Sequence, residues 1–177
     1  MTLINVPFAP GSTPGERTAE FAILNADRKE HIYAKLSARM CWDAALLCAW
    51  SVKGINCSDV DLAKVAYTVV TDNGRSYGRI FVDEGNHEVT SAGQLLQLPK
   101  GAMIGFVHKT GTKALRHVMI HIGNGWGAGN KNGCVLRAGK EIGWEKLDMA
   151  KFFFDDAQYD ANGQTKMIYM PVTGQTI

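Results

Sequence analysis

The order of elements in this chain predicts an α+β fold, with N-terminal helices packed on one side of a C-terminal antiparallel sheet. Three observations lead there. Apolar residues recur at three- and four-residue spacings between Ser37 and Lys53, a helical period. Two compact apolar runs, Ala102 to His108 and His117 to Ile122, come only after the turn-forming Pro99-Lys-Gly101 and read as strands. Asn124-Gly125 then follows the second run as a preferred two-residue hairpin turn. With 177 residues and no repeat, linker or low-complexity tract, residues 1–177 are expected to form one domain.

Residues 1–16 carry Pro7, Pro10, Gly11, Pro14 and Gly15, and read as an extended arm with turns. Charged and apolar residues mix from Arg17 to Leu36, where one or two helices are expected. The next helix, Ser37 to Lys53, sets Trp42, Ala45, Leu46, Ala49 and Trp50 on its apolar side and ends at Gly54. Ser58-Asp-Val-Asp61 resembles a capping box opening a helix to Val70, and the Gly-, Asp- and Asn-rich stretch from Thr71 to Asn86 reads as loop. Thr90 to Leu98 forms a short helix. Cys134-Val-Leu136 and Lys166-Met-Ile-Tyr-Met170 are further strand candidates, and Asp148 caps a short helix through Phe154.

Composition narrows the function. The net charge of +2 comes from 19 basic and 17 acidic residues with no dense basic run, which argues against nucleic acid or an anionic membrane as partner. No apolar run reaches the roughly 18 residues that span a bilayer. The N-terminus lacks the basic and apolar regions of a secretory signal, so synthesis in the cytoplasm is expected. The chain is expected to be a monomer. Cys41, Cys48, Cys57 and Cys134 make no C-x-x-C pair, and no histidine cluster completes a zinc spacing. Neither a metal nor another cofactor is expected. Reduced thiols leave one cysteine available as a nucleophile.

A cysteine attacks as its thiolate, and a helix N-terminus favours that form through partial positive charge and unpaired N–H groups. Cys41 has this setting if its helix starts near it rather than at Ser37. The same N–H groups can then receive an oxyanion. Cys57 is its rival, because Asn56-Cys-Ser58 also precedes a capped helix; Trp42, able to shield a thiolate from water, favours Cys41. Cys48 sits among Ala-Leu-Leu and Ala, a core setting, and Cys134 opens a strand.

The candidate base is His117. His31 and His87 read as solvated, and His108 closes a strand. His117 and His121 stand about 13 Å apart along one strand, too far to share a metal. If Gly123 pairs with Trp126 across the Asn124-Gly125 turn, stepping outward sets Asn132 opposite His117, where it can fix the imidazole tautomer as the third member of a triad. Asn130 and Asp148 remain alternatives for that role, and a bulge at Gly127-Ala-Gly129 would change the register.

Pro99-Lys-Gly-Ala-Met-Ile-Gly-Phe106 and His117-Val-Met-Ile-His-Ile-Gly-Asn-Gly125 together resemble the central strands of the NlpC-type cell-wall peptidases, members of the papain-like superfamily. Cys41-Trp42 is similar to the Cys-Trp of papain, and the order Cys, His, Asn fits that superfamily. The resemblance covers residues 38–53 and 99–133. The Asp-Cys-Ser-Gly motif of the cell-wall enzymes is missing, with Asn56-Cys-Ser58 a faint echo. Such divergence resembles that of papain-fold bacterial effector toxins delivered by specialised secretion systems. The resemblance implies a thiol hydrolase with Cys41 as nucleophile, His117 as base and Asn132 orienting it. Its substrate would be a protein or peptide amide, through proteolysis or glutamine deamidation. A peptidoglycan amidase acting on muropeptides and a catalytically inactive binding module are the alternatives.

Overall fold

The computed structural model describes residues 6–56, 87–109, 115–131, 143–155 and 164–176. Helix α1 (Pro14–Arg28) begins at Pro14, earlier than the apolar spacing suggests. The cause is a capping box: the Thr13 hydroxyl accepts from the Glu16 amide at 3.2 Å, and the Glu16 carboxylate accepts from the Thr13 amide at 2.8 Å. That backbone hydrogen bond, with a second from the Thr13 hydroxyl, holds the Glu16 carboxyl below its ordinary range. The extended arm therefore ends at Thr13.

Helix α2 (Tyr33–Ser37) is one short turn, fastened to α1 by the buried Asn25, whose side-chain oxygen accepts from the Ile32 amide at 3.1 Å. Helix α3 (Cys41–Ser51) follows, and every residue in it except Asp43 is buried. The single helix expected from Ser37 to Lys53 is thus broken at Ala38–Met40, and Cys41 opens the second piece.

The described strands form one six-stranded sheet: β1 (His87–Val89), β2 (Met103–His108), β3 (Leu115–Gly123), β4 (Trp126–Lys131), β5 (Gly143–Asp148) and β6 (Thr165–Met170), in the order β1-β6-β2-β3-β4-β5. Every pairing among them is antiparallel. Helices on an antiparallel sheet are what the sequence predicts at this level. Strands β2, β3 and β6 fall on the predicted runs; β1 and β5 do not, and His87 lies on a strand rather than in a loop. The helix expected from Ser58, the loop after it, the Cys134 strand and Cys57 lie outside the described residues.

Alternation along the strands divides the core in two. Met103, Val107, Val118, Ile120 and Ala128 point to the face covered by α1, α2 and α3, where they meet Phe21, Trp42 and Leu46. Ile104, Phe106, Met119 and Met167 point to the opposite face, covered by helix α4 (Ala92–Gln97) and a π-helical segment (Ala150–Asp155). Asp148 caps that segment as expected, its carboxylate accepting from the Lys151 amide at 3.0 Å.

Candidate functional site

Cys41 is the first residue of α3, behind the extended Met40 (ψ 154°), which supplies no side-chain cap. A helix start of this kind leaves its first N–H groups to other partners, and they carry the positive end of the helix dipole. Cys41 is itself buried, at 7% exposure. Asp43, in the same turn, has one carboxylate oxygen buried without a hydrogen-bond partner, and burial raises its pKa against the opposing pull of Arg39. Cys48, two turns further along the same helix, is a free thiol that full burial pushes far above the ordinary thiol range, so it belongs to the core as predicted.

The connection into Cys41 is held from the sheet. Asn130 on β4 donates its side-chain amide to the Leu36 carbonyl at 3.2 Å, to the Ser37 carbonyl at 3.1 Å and to the Arg39 carbonyl. Trp144, its cross-strand neighbour on β5, donates its backbone N–H to the Ser37 hydroxyl at 3.0 Å and its indole N–H to the Ala22 carbonyl at 3.0 Å. Strands β4 and β5 therefore grip α1, α2 and the approach to α3 together. In the sequence, Asn130 stands only as a candidate orienter of histidine. Trp144 and Ser37 carry no motif that would mark them.

His117 is elsewhere. It pairs with Phe106 across β2 and β3, and the two rings lie 6.0 Å apart on the Phe106 face of the sheet. That is the face covered by the π-helical segment, with Phe153 at 5.5 Å from Phe106. Helix α3 covers the other face. The histidine is fully buried, neither ring nitrogen has a hydrogen-bond partner, and burial pushes its pKa down to about 3. His121, on the same face, is lowered by burial too, although its Nδ1 donates to the Pro99 carbonyl at 3.2 Å. The described arrangement does not bring Cys41 and His117 together.

The hairpin forms as its sequence predicts. Asn124 and Gly125 take φ values of 52° and 75°, the left-handed pair of a type I′ turn, and Gly123 pairs with Trp126. The next pair is His121 with Gly127, so Ile122 is an extra residue on β3. This bulge sits on the histidine strand rather than at Gly127–Gly129, and it shifts the register by one. Continued at that offset, Val118 meets Asn130 and His117 meets Lys131, not Asn132. Asn132 itself lies outside the described residues. Asp148 pairs with Trp126 on β5 and serves the π-helical cap.

Among the described residues, no three His, Cys, Asp or Glu side chains gather as a metal site requires, and no helix is long and apolar enough to cross a membrane. Among the described residues, one cleft away from Cys41 and His117 lies beside α1, lined by Pro10, Glu16, Glu20 and Lys100, and another beside β1 and α4, lined by His87, Gln94 and Tyr169. Comparison with protein-family models gives no match, and comparison with curated proteins finds no relative.

Proposed function

We propose that this chain is a cysteine hydrolase of papain-like type, with Cys41 as nucleophile, acting on an amide of a protein or peptide as a bacterial effector toxin would. The observation that carries the reading is the place of Cys41, first in an eleven-residue helix whose N-cap residue, Met40, makes no side-chain hydrogen bond, laid on an antiparallel sheet. A thiolate there attacks the amide carbon, and first-turn N–H groups receive the oxyanion. Collapse of the tetrahedral intermediate, with a proton delivered to the leaving nitrogen by solvent or by a group outside the described residues, releases an amine or ammonia and leaves a thioester, which water hydrolyses. Peptide cleavage and glutamine deamidation share this course and differ in the leaving group. The reading assigns no described residue as the base, because a base must come within hydrogen-bond reach of the thiol and His117 faces away.

The burial of His117 on the far face favours a second reading, a binding module that keeps the helix-on-sheet scaffold and performs no hydrolysis. One set of assays separates the two. Ammonia release from protein glutamine, peptide cleavage and muropeptide cleavage are measured for the native chain and for Cys41→Ala, Cys57→Ala and His117→Ala. Turnover that disappears only with Cys41→Ala supports the hydrolase and leaves its base outside His117. Loss with folded His117→Ala as well means that the two residues meet in a second conformation. Loss with Cys57→Ala alone overturns the assignment of Cys41. Turnover of muropeptides only moves the substrate to the cell wall, and no turnover of any substrate supports the binding module.

A further inference from the structure

Three residues separate the end of helix α2 from the start of α3, so carbonyl groups at the negative end of one helix lie close in sequence to the positive end of the other. The last carbonyls of a helix lack intrahelical partners. The Leu36 carbonyl accepts from the Arg39 amide at 3.1 Å, but left open, that of Ser37 and that of Arg39, two residues before the thiol, would disfavour a negative charge on Cys41. Asn130 removes this effect. Its Nδ2 lies within hydrogen-bond reach of all three carbonyls, which share its two N–H bonds, and the residue is 3% exposed, so water does not share the task. The three acceptors fix which end of the carboxamide points at the connection, since only the NH2 end can donate. Its Oδ1 is buried with no partner, a cost of roughly 1–3 kcal/mol for such a group that the donor end must offset.

We infer that Asn130 is a positioning residue for Cys41: by capping the carbonyls of the α2–α3 connection from β4, it sets the electrostatic field in which the thiol ionises. The inference rests on Cys41 being the nucleophile. It gives Asn130 a different task from that of a triad member, because Asn130 faces the helices while His117 faces the other side of the sheet. An aspartate would present oxygens to these carbonyls, and an alanine would take the Asn130 donor from those of Ser37 and Arg39, while the Leu36 carbonyl would keep the Arg39 amide at 3.1 Å. The Ser37 hydroxyl, held by Trp144, fastens the same connection without touching those carbonyls, and so supplies a control.

The test is the pH dependence of iodoacetamide alkylation, followed at Cys41 by peptide mass spectrometry in the full folded chain. In the native protein the thiol is expected to titrate below the ordinary value of about 8.5. Asn130→Ala and Asn130→Asp should raise that midpoint by about one unit, slowing alkylation near pH 7 by up to about tenfold. Ser37→Ala should lower the melting temperature and leave the midpoint in place. If Asn130→Ala does not fold, Asn130→Gln, with its amide displaced by one methylene, should move the midpoint in the same direction by less. A low native midpoint that is unchanged in folded Asn130 variants overturns the inference alone. A native midpoint at or above the ordinary value overturns the nucleophile assignment and the inference with it.

Discussion

Asn130 and Trp144 stand opposite each other on β4 and β5, and their hydrogen bonds reach all of the helical layer: α1 at Ala22, α2 at Leu36 and Ser37, and the entry to α3 at Arg39. Trp144 is fully buried, so its indole N–H has no water to fall back on. Trp144→Phe keeps an aromatic ring but leaves the Ala22 carbonyl without this donor and opens a small void. A loss of about 2–3 kcal/mol is expected, read as a lower midpoint in urea with an unchanged slope. A variant as stable as the native chain would show that the indole bond contributes little.

The burial of His117 gives a second prediction with an unusual sign. Removing a buried polar group whose partners are missing is neutral or favourable when the replacement fits. His117→Phe, set between Phe106 and the π-helical segment, is therefore expected to match the native stability or exceed it by about 1–2 kcal/mol. A loss of more than about 1 kcal/mol would mean that the imidazole makes a polar contact in solution.

The same residue makes stability depend on pH. His117 titrates near 3 when folded, against about 6.5 when unfolded, so between these values the unfolded chain binds a proton that the folded chain does not. Stability is complete above about pH 6.5 and falls as the solution is acidified, by up to about 1.4 kcal/mol per pH unit, until pH nears 3. His121 is lowered as well and adds to the fall. Thermal melts at pH 7.5 and pH 5 should show the loss in the native chain and a smaller one in His117→Phe. Equal losses in both would sink the account.

Much of this architecture is readable from the chain, and the failures have physical causes. Helices before strands, the β2 and β3 runs and the Asn124-Gly125 turn follow from local period and turn chemistry, which act within a few residues. The capping box at Thr13 and Glu16 was equally local, but the prolines and glycines around it masked it. The break at Ala38–Met40 is different in kind: its carbonyls are paid off by Asn130, more than ninety positions away, and no local pattern records that. Register failed for a related reason. A turn fixes the first pair, and one extra residue, Ile122, is enough to reassign every pair beyond it. The papain-like order of Cys41 and His117 is a statement about sequence, while the face on which a strand residue points depends on packing against both layers.

Thiol reactivity separates the two described cysteines. Cys48 is fully buried and its thiol is pushed strongly up, so its thiolate is scarce at any ordinary pH. Iodoacetamide at pH 7 should modify Cys41 and leave Cys48 intact until the chain unfolds. Modification of Cys48 in the folded protein at a comparable rate would show that α3 opens to solvent and that its burial is not maintained.

Two glycines with nearly the same backbone allow conformational strain to be separated from crowding. Gly11 and Gly101 take φ values of 81° and 83°, a region that costs an L-residue about 1–2 kcal/mol. A Cβ on Gly11 meets open space, whereas one on Gly101 would lie 2.0 Å from the Gly15 carbonyl oxygen, where the start of α1 crosses the approach to β2. Gly11→Ala should therefore cost about 1–2 kcal/mol from strain alone. Gly101→Ala carries the same strain plus the displacement of two backbones, and should cost at least about 2 kcal/mol more. Because the dihedral term is shared, the difference between the variants measures how tightly α1 is pressed against the sheet. Equal losses in urea denaturation would mean that this crossing gives way without resistance, and the helical layer that positions Cys41 would then be anchored by the Asn130 and Trp144 bonds rather than by close backbone packing at Gly15 and Gly101.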